Sequence, residues 1–237
     1  EERWKSLGYV PQGTSESLDD AIEEQLIINK KGRVLVYGVG VNDSTTTTTK
    51  EDWKGGKRKV VWECPYYKRW SGMLRRCYSP KHHKRQPTYE GCSVCEEWLV
   101  FSNFKAWMET QDWEGNQLDK DLLVEGNKVY SKENCIFVSS SLNNFILDSN
   151  KIRGGCLLGV MQSKQKGKFV AKCKNNFLNK QVTLGSYSTE EEAHSAWKAY
   201  KLYLVGEMVR FGTITDDRVT KALVGRYSEQ GEQNDEG

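Results

Sequence analysis

Four cysteines have the residue type and part of the spacing that a metal site needs. Cys92 and Cys95 are separated as in a zinc knuckle, and Cys64 and Cys77 precede them, so a four-thiolate Zn²⁺ site is possible in principle. No second knuckle accompanies them, and Cys77 falls on the apolar stripe of a predicted helix. Buried thiols packed as small hydrophobic side chains are the commoner outcome, and we favour that outcome over zinc. The remaining cysteines, which alternate with strand-like residues, are predicted to be core: Cys135, Cys156 and Cys173.

Clustered cationic side chains point to phosphate binding. The net charge of +3 hides two basic blocks, because residues 57–85 contain only one acid, Glu63, and residues 149–189 contain none. Lysine and arginine that neutralise phosphates release counterions, which is the main sequence-independent contribution to nucleic-acid affinity. A solvated basic face without a partner is the alternative. Two separated basic blocks make this alternative less favoured than a single block would.

His82 and His83 lie within the first basic block, in a loop predicted over 79–91. Imidazole is a common general base at neutral pH, so the pair could supply one. We favour the simpler interpretation, in which both rings face phosphate in a cationic loop.

These residues need elements to position them. Apolar residues at helical spacing predict a helix from about Tyr66 to Tyr78, whose cationic side chains Arg69, Arg75 and Arg76 lie off the apolar stripe. A second helix is predicted over Ser102 to Glu109. Further upstream, the pattern predicts a helix over 15–27 and strands over 33–41 and 59–63.

A strand–loop–strand–helix order follows in the middle of the chain. The strands are predicted over 117–124 and 135–138, with a turn at 125–128 between them. The helix is predicted from Ser139 to Leu147, with serines available as caps.

That stretch, LDKDLLVEGNKVYSKENCIFVSSSLNNF at 118–145, resembles the ββα-metal fold of HNH endonucleases. The wider chain is similar to phage-encoded HNH proteins of the homing type, through YGVGVND at 37–43, YYKRWSGMLRRCY at 66–78 and VCEEWLVFSNFKAWM at 94–108. The resemblance implies that Asp119 is the first-strand metal ligand, that Asn134 holds the loop, and that Asn143 is the helix ligand. Both predicted ligands are oxygen donors, which suit Mg²⁺ or Mn²⁺ and not zinc.

Lys120 departs from the family pattern, because it occupies the catalytic position at which most HNH enzymes carry a water-activating His. Lysine is a poor general base at neutral pH, and Asp119 and Asp121 on either side should favour its charge. Three interpretations stay open: another residue such as His82 or His83 supplies the base, metal-activated water suffices, or the domain binds without cutting. Asp and Asn are also common at turns and caps, which is the structural alternative for Asp119, Asn134 and Asn143.

The C-terminal part is predicted to be a small module of three strands and a helix. The strands are expected over 157–161, 168–173 and 181–187, and a capping box at Thr189–Glu192 opens the helix. The module resembles the apetala2-type DNA-binding domain through Gly159-Val160, Gly167-Lys168-Phe169 and Leu184-Gly185. In that family the sheet lies in the major groove and the helix packs behind it.

The predicted fold class is therefore α+β, with an HNH-like ββα-metal domain followed by a three-stranded antiparallel sheet and a helix. The predicted divisions are an N-terminal segment 1–60 of unclear role, the HNH-like domain 61–150, the module 154–210 and an acidic mobile tail 211–237. The predicted DNA contacts combine both basic blocks: Arg69, Arg75, Arg76, Lys84, Arg85, Gln162, Lys164, Lys168, Lys172 and Lys174.

The leading functional hypothesis is a sequence-directed, metal-dependent DNA endonuclease that is phage-encoded. Its alternative is an inactive HNH-derived DNA-binding protein that acts as a repressor or recruitment factor. A third class is a protein-interaction factor that uses the acidic N-terminus to bind a protein partner. The chain has no long apolar run and no apolar signal region at its start, so we expect no membrane partner and a cytoplasmic location, on double-stranded DNA in a bacterial host.

Overall fold

The computed structural model describes residues 35–147 and 155–228 of the chain. These residues form a mixed α+β structure and fall into two compact units. The first comprises residues 35–114 and 126–135, and the second comprises residues 115–125, 136–147 and 155–228. The division runs through the predicted domain 61–150, because residues 115–125 and 136–147 pack with the C-terminal module. The predicted helix over 15–27 lies outside the described residues.

The first unit begins with a two-stranded ribbon. Strands β1 (Thr49–Lys54) and β2 (Lys57–Glu63) pair antiparallel, which confirms the strand predicted near 59–63. Gly55 and Gly56 join them, and both have positive φ, at 59° and 72°. A two-residue hairpin turn that matches the twist of the strands requires this conformation at both positions, and glycine adopts it without strain.

The predicted basic helix is confirmed as α1 (Pro65–Tyr78), which starts with proline in its first turn. Its apolar stripe buries Trp70, Met73, Leu74 and Cys77. The unit continues through α2 (Pro80–His83), a 3₁₀ turn (Pro87–Tyr89), β3 (Ser93–Val94), α3 (Glu96–Leu99) and α4 (Phe101–Met108). It closes with β5 (Val129–Tyr130), which pairs parallel to β3. The loop predicted over 79–91 therefore contains two short helical turns.

The second unit starts with a short hairpin and a helix. Strands β4 (Gln117–Asp119) and β6 (Ile136–Val138) pair antiparallel, with Asp119 opposite Ile136. Helix α5 (Ser140–Ile146) follows at once, and the side chain of Ser139 caps it by accepting the Leu142 N–H. The order strand, loop, strand, helix is thus as predicted. The first strand, however, ends at Asp119 and not at Val124.

The C-terminal module is a three-stranded antiparallel sheet backed by a long helix. Strands β7 (Val160–Gln162), β8 (Phe169–Asn175) and β9 (Lys180–Tyr187) pair in chain order. Helix α6 (Glu190–Arg210) opens with the predicted capping box of Thr189 and Glu192. Gly159 has a φ of 78°, and a Cβ there would lie 2.0 Å from the Trp197 ring, so only glycine allows this approach of strand and helix.

One core joins the hairpin, α5 and the module. Leu142 and Phe145 of α5 pack with Trp197 and Leu204 of α6 in a single buried cluster. A further helix, α7 (Asp217–Tyr227), adds Val219, Leu223 and Tyr227 to it. The acidic tail predicted from 211 therefore contains a packed helix, and its residues 229–237 lie outside the described part.

The strand predicted over 33–41 is wrong for residues 35–41, because Tyr37 and Gly38 both have positive φ and turn the chain back on itself. Within the described ranges, no helix is long and apolar enough to cross a membrane.

Candidate functional site

The cationic face of α1 is only partly available to a ligand. Arg75 is exposed, whereas Arg69 and Arg76 are partly buried. Arg76 donates through Nε to the phenol oxygen of Tyr130 at 3.0 Å and stacks over that ring and the Tyr89 ring. Burial raises the pKa of Tyr130, so its phenol remains a neutral partner. Arg76 thus has a structural role that the sequence does not show, while the predicted contacts Lys84 and Arg85 are exposed.

The two histidines differ in their surroundings. His83 contacts the Arg76 carbonyl through Nε2 at 2.8 Å, and a proton on Nε2 makes that contact a hydrogen bond. His82 Nε2 is buried and has no hydrogen-bond partner, and its ring packs 5.5 Å from that of Tyr89. Burial, then the charges of Arg75 and Arg76, lower the pKa of His82. The neutral ring that results is the form that accepts a proton.

Asp119 ends β4 and turns the chain with its own side chain. The backbone N–H groups of Asp121 and Leu122 donate to its Oδ1 at 3.0 and 2.7 Å. Burial, followed by the charge of Asp121, raises the pKa of Asp119. The side chain is therefore a turn former, as the structural alternative predicted, and at the same time a carboxylate whose charge the fold disfavours.

Lys120 points inward from the same turn. Its side chain is buried, with 7 % of the residue exposed, and its Nζ donates to Asp121 Oδ2 at 3.0 Å. The Lys120 side chain is therefore buried and ion-paired with Asp121, and it is not presented to solvent as a general base would be.

Asn143 lies on the helix one turn from its start. Its Nδ2 donates to Gln117 Oε1 at 2.6 Å, and Gln117 Nε2 donates to Ser140 Oγ at 3.1 Å. Gln117 and Asp119 point to the same side of β4, because side chains alternate along a strand. The structure thus places Asp119 and Asn143 in one unit, on a hairpin and on the helix that follows it.

Asn134 belongs to the other unit. Its Nδ2 donates to Asn127 Oδ1 at 3.3 Å. Asn127 in turn donates to the Val129 carbonyl at 2.7 Å and accepts the Val129 N–H. Asn134 therefore bonds to a loop residue of the first unit, and the loop-holding role that the resemblance implies stays a prediction.

The donor set limits which metals could bind. Among the described residues, no three His, Cys, Asp or Glu side chains come together as a metal-binding group. All seven cysteines are described and are free thiols, of which Cys77, Cys92, Cys135 and Cys173 are buried. Asp119 and Asn143 offer a carboxylate and an amide oxygen. Mg²⁺ is commonly held by one or two carboxylates, with water and phosphate completing its shell, so this pair fits Mg²⁺ only in that minimal form.

The sheet of the module has one face against α6 and one open face. Ala171 and Cys173 are buried toward the helix, and the alternate residues of β8 point away from it. Residues directly opposite on β7 and β9 share that side. The open face carries Met161, Lys172, Lys174, Gln181, Thr183 and Ser186.

The predicted contacts in the module are only partly on this face. Lys172 and Lys174 lie on it, and Lys164 is exposed in the β7–β8 turn. Lys168 donates to Ser188 Oγ at 3.0 Å. Gln162 pairs with Phe169 on the helix side of the sheet, so its register, which the sequence did not fix, turns it away from the open face. Met161, Gln181 and Thr183 lie on the open face instead, and alternation along β9 could have identified Gln181 and Thr183.

Two further features were not predicted from the sequence. Lys201 of α6 is buried with 7 % exposure. Its Nζ donates to the Phe145 carbonyl and lies 3.4 Å from the centre of that ring. Desolvation lowers the pKa of Lys201 to about 8. The second is β1, which the Gly-Gly pair between two polar runs could have indicated.

Comparison with protein-family models, with curated proteins and with solved structures finds no match to this chain.

Proposed function

We propose that this chain is an HNH-type DNA-binding protein that binds duplex DNA through the open face of β7–β9. The observation that carries the proposal is the pairing of an exposed, lysine-bearing sheet face with a helix that covers only the opposite face. On this face Lys172 and Lys174 lie on the central strand β8, with Met161 on β7 and Gln181 and Thr183 on β9 at its two sides. The lysines would reach phosphates, and the outer-strand residues would contact base edges.

The charge distribution supports this proposal. The described residues 155–189 carry lysines and no acid, while Glu190, Glu191 and Glu192 occupy the first turn of α6. A cationic sheet beside an acidic helix start gives the module one side that attracts a polyanion. Binding to DNA in a bacterial host, and a phage origin, follow from the resemblance and remain predictions.

A selection from random duplex DNA tests the proposal. The full chain should enrich a defined sequence, and the double variant Lys172→Gln with Lys174→Gln should lose the enrichment. Arg210→Gln with Lys221→Gln is the matched control, because it removes the same charge from exposed positions of α6 and α7. Equal enrichment by all three proteins, or none by the wild type, would overturn the proposal.

The second candidate function is metal-dependent hydrolysis of a DNA phosphodiester bond. It is favoured by the partly buried carboxylate of Asp119 at the end of β4, on the same unit as Asn143. These two residues would hold the ion, which would supply Lewis-acid stabilisation of the phosphate and an activated water. The chain itself contributes orientation of the carboxylate through the Asp121 and Leu122 N–H groups.

The ion-paired state of Lys120 favours binding without cutting, so the two outcomes need a direct test. Supercoiled plasmid that contains the selected sequence is incubated with the full chain and Mg²⁺ or Mn²⁺. Conversion that is lost in Asp119→Ala and kept in Asp217→Asn supports the endonuclease. Binding without conversion under either metal removes hydrolysis and leaves the DNA-binding proposal standing.

A further inference from the structure

The β1–β2 ribbon stands apart from the core of its unit. Every residue from Lys50 to Trp62 is exposed, and only Thr49 and Glu63 at its base are partly buried. An isolated two-stranded hairpin is marginally stable in water. A ribbon that buries neither face contributes little to its own fold, which indicates an element kept for contact with something else.

The pairing register places the lysines of the ribbon on one face. Lys54 lies opposite Lys57, and Asp52 opposite Lys59. Lys50 lies opposite Trp62, and its ammonium is 5.7 Å from the centre of that ring. Residues directly opposite in an antiparallel pair point to the same side. The lysine face of the ribbon is therefore Lys50, Lys54, Lys57 and Lys59, with Asp52 as the one acid among them.

The other face is electrically balanced. Arg58 is ion-paired with Glu51, and beside this pair lie Trp53, with 70 % of its surface exposed, and Val60. Val61 is the extra residue at the bulge between the Lys50 and Glu51 pairs. The two faces differ in charge because successive residues of each strand point to opposite faces. The pairing register then brings the lysines of both strands together on one face.

We propose that the β1–β2 ribbon is an arm that binds the phosphate backbone of duplex DNA through its lysine face. The inference rests on the proposed DNA-binding function and adds a contact surface that the basic helix and the module do not include. Charge complementarity selects the occupant, because lysines on one face with a single acid match a surface of regularly repeated anions. A two-stranded ribbon is also narrow enough for the major groove, which is about 12 Å wide.

Two variants test the lysine face. The first replaces Lys50, Lys54, Lys57 and Lys59 with Gln. The second keeps the composition and the net charge but exchanges neighbours between the faces: Trp53→Lys with Lys54→Trp, and Lys59→Val with Val60→Lys. All of these side chains are exposed, so thermal unfolding of both variants should match the wild type, which checks that the ribbon changes leave the core intact.

The measurement is the affinity of the full chain for duplex DNA between about 50 and 300 mM salt. The Gln variant should bind at least about tenfold more weakly at 0.1 M salt, and the slope of log affinity against log salt should be shallower by about three. The exchanged variant should fall between it and the wild type. Wild-type affinity and slope in the Gln variant would overturn the inference, since the four lysines would then make no contact with DNA. Wild-type behaviour of the exchanged variant would overturn it as well, since net charge alone would then be sufficient.

Two further outcomes identify other occupants. A loss confined to single-stranded DNA of the same length would overturn duplex binding by the ribbon. Unchanged DNA affinity, together with lost binding to polyglutamate, would overturn it in favour of an acidic protein surface. A wild type without salt-dependent DNA binding removes the proposed function as well, whereas wild-type binding with unaffected variants removes the ribbon inference alone.

Discussion

The hairpin with its following helix and the three-stranded sheet use polar side chains in opposite ways. In the hairpin and its helix, polar side chains form hydrogen bonds within the unit. Asp119 accepts two backbone N–H groups, Lys120 donates to Asp121, and Asn143 donates to Gln117. On the open face of β7–β9, Lys174, Gln181 and Thr183 are exposed. The contacts within the hairpin explain much of its polar pattern structurally, whereas an exposed cationic face has no such internal explanation. Binding is therefore better supported than hydrolysis.

The largest effect expected concerns the sheet. Changing Lys164, Lys172 and Lys174 to Glu should weaken duplex DNA binding by on the order of 1,000-fold at 0.1 M salt, because each reversal replaces an attraction to phosphate with a repulsion. Fluorescence anisotropy with labelled duplex measures it. The same number of reversals at Lys128, Lys132 and Lys221, outside the open face, should have a far smaller effect. Equal losses in the two variants would show that net charge, and not this face, controls affinity.

The next effect concerns Lys201, which bonds the carbonyl of Phe145 and so ties the hairpin's helix to the module. Its pKa of about 8 lies below the ordinary value of 10.5. Above pH 8 the unfolded chain therefore binds more protons than the folded chain does, and stability rises with pH. The free energy of unfolding should increase from pH 8 to 10 by up to about 3 kcal/mol, as measured by urea unfolding. Lys201→Met should flatten this rise.

Tyr227 should oppose this rise in stability at higher pH. Burial raises the pKa of Tyr227 to about 12, above its ordinary value of 10. Its contribution is complete below pH 10 and is lost as the pH rises from 10 through 12. Stability should therefore turn downward above pH 10, and Tyr227→Phe should remove part of that fall. A wild-type curve that rises throughout from pH 8 to 12 would contradict the assignment to Tyr227, and one that falls throughout would contradict the assignment to Lys201.

A smaller effect separates the two roles of Asp119. Asp119→Ala removes the acceptor of two backbone N–H groups and should lower the free energy of unfolding by about 1 kcal/mol. Asp119→Asn keeps an acceptor and removes a carboxylate whose pKa is raised by burial, so it should restore or exceed wild-type stability at pH 7. Plasmid cleavage, if present, should be lost in both. Full cleavage by Asp119→Asn would reduce Asp119 to a turn former.

The smallest expected effect is at Asn143. Asn143→Ala breaks its bond to Gln117 and should cost about 0.5–1 kcal/mol, with DNA affinity unchanged, because this contact lies within the hairpin and its helix. Gln117→Ala should cost a similar amount, and the double variant less than the sum, since both remove the same bond. Strict additivity in the cycle would contradict the hydrogen bond between Asn143 and Gln117.

Sequence patterns predicted those helices and strands whose formation depends on residues close together in the chain. The helix Pro65–Tyr78 follows from its apolar stripe, and the start of α6 follows from Thr189 and Glu192. The strand expected to reach Val124 stops at Asp119, because that side chain accepts the N–H groups that a longer strand would have paired. Tyr37 and Gly38 adopt positive φ within an apolar run that otherwise alternates like a strand.

The site depended on information that local patterns lack. Gln162 and Met161 are neighbours in sequence, and only the register with Phe169 and Val170 decides which one joins the open face. The bond between Asn143 and Gln117 requires the hairpin and the helix to be assembled first. Lys201 is buried against the general tendency of lysine, and only its tertiary contact with the Phe145 carbonyl explains this.

The central claim is that the open face of β7–β9 contacts duplex DNA. Amide chemical shifts of the full chain, recorded during titration with the selected duplex, test it most directly. We expect the largest changes at Met161, Lys172, Lys174 and Thr183, and small ones at the exposed α6 residues Glu191 and Tyr203. The largest changes on α6, or none anywhere in the module at saturating DNA, would contradict it.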